Sequence, residues 1–91
     1  MPRRYSAKQV MKGLKRSGFV KVSQRGSHIK FRGIVDGKLQ TAIVPNYKQL
    51  APSIFDSIVR QSGLSKPTLE NAIKWLALKA IARSFDVVIE H

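Results

Sequence analysis

The chain has 91 residues and a formal net charge of +12, with 17 Lys and Arg against 5 Asp and Glu. That length holds one small domain with a modest core, and the lack of Cys excludes disulfide, thiol and zinc-thiolate chemistry. Two His and a few scattered carboxylates argue against a tight zinc site, and no glycine loop or nucleotide fingerprint points to an NTP-driven enzyme. No cofactor is therefore expected.

The start, Met1-Pro2-Arg3-Arg4, is basic like the front of a signal peptide, yet Lys8, Lys12, Lys15 and Arg16 interrupt the apolar run that would have to follow. No stretch approaches membrane-spanning length either, so a soluble, cytoplasmic protein is the expectation. The charge is unevenly divided: residues 1–48 carry twelve Lys and Arg against Asp36 alone, a net of +11, and residues 49–91 carry five against four acids, a net of +1. Clustered cations of this kind suit a polyanion such as nucleic acid, or an acidic protein partner, because they speed encounter and release counterions on binding.

Ser6 and Gln9 have capping-box spacing, and Ala7, Val10, Met11 and Leu14 follow at helical period with the lysines opposite, which predicts a helix over residues 7–17 stopped by Gly18. Residues 19–24 and 28–34 alternate, Val20 and Val22 against Lys21 and Ser23, then Ile29 and Phe31 against His28, Lys30 and Arg32. Both segments are read as half-buried strands, joined by a tight turn at Gly26. Asp36-Gly37 predicts a hairpin into a third strand over residues 38–44, closed by Pro45. Residues 46–51 form a loop, Pro52 opens a second helix carrying Ile54, Phe55, Ile58 and Val59, and Gly63 ends it.

A third helix is predicted over residues 67–83, with Leu69, Ala72, Ile73, Leu76, Ala77 and Ala80 on one side and Trp75, Leu78 and Ile81 off that stripe. It either wraps the core or mediates self-association. Residues 85–89 add a short strand or a tail. The expected fold class is α+β: a three-stranded antiparallel sheet with two helices on one face, α-β-β-β-α, followed by a C-terminal helix. His28, Lys30 and Arg32 cannot share a face with Ile29 and Phe31, so they look outward on the uncovered side.

An outward imidazole among cations suits RNA cleavage without metal. A base takes the proton of a 2′-hydroxyl, which attacks its own phosphate, while cations hold the charge of the phosphorane. His28 is the candidate base, and Arg25, Lys21, Lys30 and Arg32 are candidate phosphate contacts. Strand neighbours point to opposite faces, which argues against a Ser27-His28 nucleophilic pair, so Ser27 is expected to shape the turn.

The blocks Gln24-Arg25-Gly26-Ser27-His28-Ile29-Lys30-Phe31-Arg32, Ala42-Ile43-Val44-Pro45, Leu50-Ala51-Pro52 and Gln61-Ser62-Gly63-Leu64-Ser65 resemble the HicA toxins, also called the YcfA-like family. The resemblance covers about residues 6–65 and implies a double-stranded-RNA-binding-like fold, mRNA interferase activity and a HicB antitoxin partner that occludes the active surface. It also implies that His28 is catalytic, with Gly26 and Ser27 completing the motif. Many relatives have a histidine shortly after the position of Pro45, where this chain has Asn46 and Tyr47. Residues 1–65 are thus expected to form the toxin domain, and residues 66–91 an extension packed on it or forming a dimer interface. The competing reading is an RNA-binding module without turnover, for which cations and fold suffice.

Overall fold

Ser6 and Gln9 close the capping box that their spacing predicts: the Gln9 amide N–H donates to Ser6 Oγ at 3.1 Å, and the Ser6 N–H donates to Gln9 Oε1 at 2.9 Å. Helix α1 (Ala7–Arg16) starts there and buries Ala7, Val10 and Leu14, while Lys8, Lys12, Lys15 and Arg16 face solvent. Its end is a Schellman turn, with the Gly18 and Phe19 N–H groups donating to the Lys15 and Leu14 carbonyls. The structure, a computed structural model, describes residues 4–84, and the strand or tail expected at 85–89 lies outside them.

Three strands follow as an antiparallel meander in the order β1-β2-β3: β1 (Val20–Arg25), β2 (His28–Val35) and β3 (Lys38–Pro45). Asp36 and Gly37 both have positive φ, 52° and 78°, as a type I′ hairpin requires. Helix α2 (Pro52–Ser62) and helix α3 (Lys66–Ser84) complete an α+β fold of order α-β-β-β-α-α. Ile29, Phe31, Ala42 and Val44 from the sheet meet Val10 and Leu14 of α1, Phe55 and Ile58 of α2, and Leu69 and Ile73 of α3 in one core.

Strand β1 differs from the expectation of a half-buried strand. None of its six residues is buried. It is an edge strand, the helices lie over β3 and β2, and Phe19 just before it fills the core position instead, its ring packed on Gly33. A bulge between Lys21 and Ser23 further breaks the alternation of β1.

Helix α3 is divided along its length. Leu69, Ala72 and Ile73 are buried, and Gly13 lets α1 approach closely: a Cβ there would stand 2.7 Å from Ile73 Cγ1 and 3.1 Å from Leu69 Cδ1. Beyond Leu76, which is half-buried, Ala77 and Ala80 of the predicted stripe are exposed, as are Leu78 and Ile81. The apolar stripe therefore outlasts the surface available to cover it. Among the described residues no helix is long and apolar enough to cross a membrane.

Candidate functional site

Arg25 and His28 are Cα partners across a two-residue turn, so the turn is Gly26-Ser27 alone. Gly26 has φ 59°, the conformation that the first central residue of a type II′ turn must adopt and that a side chain disfavours. The turn is braced on both sides. The Asn46 N–H donates to the Ser27 carbonyl at 2.7 Å, tying it to the exit of β3, and Gln24 Nε2 donates to the Gly26 carbonyl at 3.0 Å. Ser27 is held to the exit of β3 through its backbone carbonyl, and His28 follows it at the first position of β2.

Alternation along β2 is as expected: Ile29 and Phe31 are buried, while His28 and Arg32 are exposed and Lys30 is half-exposed on the other face. Register extends that outer face sideways, His28 lying between Arg25 and Pro45, Lys30 between Ser23 and Ile43, and Arg32 between Val20 and Thr41. At strand rise, Lys30 stands about 7 Å and Arg32 about 13 Å from His28. His28, Arg25 and Lys30 line one cleft of about 410 Å³ with Ser23, Gln24 and Ile43.

Lys21 is not part of this group. The bulge shifts its register to Phe31, which puts it on the helix side of the sheet, where its Nζ donates to Gln24 Oε1 at 2.9 Å. Through Gln24, which also lines the His28 cleft, it is linked to the Gly26 turn. Without the bulge, residues 21, 23 and 25 would have shared one face.

A second cleft of about 420 Å³ also has His28 in its wall, with Pro45, Tyr47, Ser53, Ser57 and Gln61 around it. Ile43 N–H donates to Gln61 Oε1 at 2.9 Å, so α2 lies along the free edge of β3 and closes the cleft from that side. Tyr47 is held by its backbone, its carbonyl accepting from the Ala7 N–H at 3.0 Å and its N–H donating to the Pro45 carbonyl at 2.8 Å. These α2 residues escape sequence reasoning, since nothing in a helical pattern says that its polar side will meet a strand edge. The Gln61-Ser62-Gly63-Leu64-Ser65 block was the available signal.

Among the described residues, no group of three or more His, Cys, Asp and Glu could hold a metal ion. The outer face can bring anionic phosphate to Arg25, Lys30 and Arg32 and offer one imidazole beside it. Compared with curated proteins, the chain matches none. A family model described as the HicA toxin of bacterial toxin-antitoxin systems matches residues 7–64, from the start of α1 to the turn before α3. The outward His28, the tight Gly26-Ser27 turn and that match over most of the chain agree, and the chain belongs to the HicA toxin family, the toxin side of a toxin–antitoxin pair.

Proposed function

We propose that this toxin is an endoribonuclease that cuts mRNA without a metal, with His28 as the general base. The observation that carries this reading is the position of His28 at the turn, exposed on the outer face and sharing a cleft with Arg25 and Lys30. In the reaction, the His28 imidazole takes the 2′-hydroxyl proton, the 2′-oxygen bonds to the adjacent phosphorus as the bond to the 5′-oxygen of the next nucleotide breaks, and the His28 imidazolium gives its proton to that leaving oxygen. The products are a 2′,3′-cyclic phosphate and a 5′-hydroxyl. Arg25 and Lys30 hold the scissile phosphate and its added charge, Arg32 farther along the strand takes a flanking phosphate, and a positioned base supplies roughly 10² to 10⁴ in rate.

Tyr47, in the loop after Pro45, lies in the other cleft that His28 lines. Its ring offers a platform on which a splayed base can stack. RNA incubated with the protein in EDTA tests the reaction: cyclic phosphate ends are the expected product, and 3′-hydroxyl ends or dependence on added metal would contradict it.

The alternative is an RNA-binding module without turnover. One observation favours it: among the described residues His28 is the only imidazole, so a full acid–base cycle asks that group to act twice. Binding of intact RNA with no products after long incubation would establish it. Family membership implies an antitoxin partner, for which we propose a HicB-type protein covering the His28 face. Self-association through residues 66–91 is a further proposal, resting on the exposed Leu78 and Ile81.

A further inference from the structure

The cationic side of α1 is separate from the His28 face. Val10 and Leu14 point into the core on the inner side of the sheet, and Lys8, Lys12, Lys15 and Arg16 lie on the far side of the helix, so two layers of structure stand between them and His28. Lys8, Lys12 and Arg16 follow one another at four-residue spacing, where like charges repel, and α1 contains no acidic residue. The one ion pair among the described residues, Lys66 with Asp56 at 3.1 Å, is elsewhere. Such a stripe carries a small repulsion that a bound anion would relieve.

Trp75 of α3 sits at the edge of this stripe and is 39% exposed. The Arg16 guanidinium lies over its ring, 3.3 Å from the centroid, and Lys79 Nζ is 4.9 Å from it. Lys12, Lys15, Arg16, Trp75, Leu76 and Lys79 line a shallow, open depression of about 430 Å³. A planar Arg–Trp stack bordered by lysines has the two parts that single-stranded nucleic acid needs: a flat surface for a base and cations for the flanking phosphates. An acidic peptide would use the cations but has no use for the stack.

We propose that Lys12, Lys15, Arg16, Trp75 and Lys79 form a second contact for single-stranded RNA on the side of the molecule opposite His28. It rests on RNA being the ligand, as the functional reading holds, but not on cleavage. An RNA long enough to pass around the molecule would be held at both faces, which favours long transcripts over short fragments through effective concentration.

Trp75 is the only tryptophan in the chain, so its emission reports on this site alone. The full chain carrying His28→Ala, which removes the proposed base, is titrated with dye-labelled oligouridylate while dye anisotropy and Trp75 emission are followed together. The expected result is quenching of Trp75 along the same curve as the anisotropy. A Lys12→Gln/Lys15→Gln variant, both positions being exposed, should bind more weakly with a log–log salt slope shallower by about 0.7 per lysine removed. Rising anisotropy with unchanged Trp75 emission would leave RNA as the ligand and overturn the second contact. No change in either signal would overturn both, and equal quenching by polyglutamate would assign the surface to an acidic protein instead.

Discussion

Glycine at position 26 carries the geometry of the His28 site. Its φ of 59° is strained for alanine, so Gly26→Ala should cost about 1–2 kcal/mol in urea unfolding and lower cleavage further by moving His28 relative to Arg25. The two lysines of the hairpin separate the faces of the sheet. Lys30→Gln should weaken RNA binding and cleavage several-fold, whereas Lys21→Gln, on the far face and bonded to Gln24, should change them little; equal losses would contradict the register. Tyr47→Phe should keep activity if the ring stacks on a base, and Tyr47→Ala should raise KM. At this scale β2 was legible, because Ile29 and Phe31 alternate strictly with His28, Lys30 and Arg32. Lys21 was not, since a bulge adds one residue without leaving a mark in the hydrophobic pattern.

Elements join through a few short connections whose residues are now assigned to physical tasks. In the block Gln61-Ser62-Gly63-Leu64-Ser65, Gln61 caps the edge of β3, Gly63 takes the left-handed position that ends α2, and Ser65 Oγ accepts from the Thr68 N–H to begin α3. Ser62 is fully buried, donating to the Val59 carbonyl at 2.8 Å and accepting from the Leu64 N–H at 3.1 Å. Ser62→Ala leaves that N–H without its partner and should destabilise the fold by roughly 1–3 kcal/mol, measured by urea unfolding. Capping, turns and helices were legible from Ser6, Gln9, Gly18, Asp36-Gly37, Pro52 and Gly63, because each acts on its immediate neighbours. The exposure of β1 and of the distal half of α3 was not, since burial depends on what lies above an element. Leu69 and Ile73 belong to the common core, so self-association is better tested with Leu78→Glu than by deleting α3. Light scattering should then report a smaller species than the parent chain; a monomer in both cases would exclude that interface.

Viewed across the whole molecule, seven of the twelve Lys and Arg of residues 1–48 stand on two surfaces, Arg25, Lys30 and Arg32 on the His28 face of the sheet and Lys8, Lys12, Lys15 and Arg16 on the outer side of α1. Polyanion binding at either surface should fall steeply with salt, and a flat dependence would contradict an RNA ligand altogether. What distinguishes the His28 face is the imidazole, and the ribonuclease reading stands or falls with it. The decisive measurement pairs cleavage and binding of one RNA, in EDTA, by the parent chain and by His28→Ala. A loss of cleavage of at least about 10²-fold is expected for His28→Ala, with RNA affinity nearly unchanged. Undiminished cleavage by His28→Ala would remove this residue from the chemistry and leave the ribonuclease without its base.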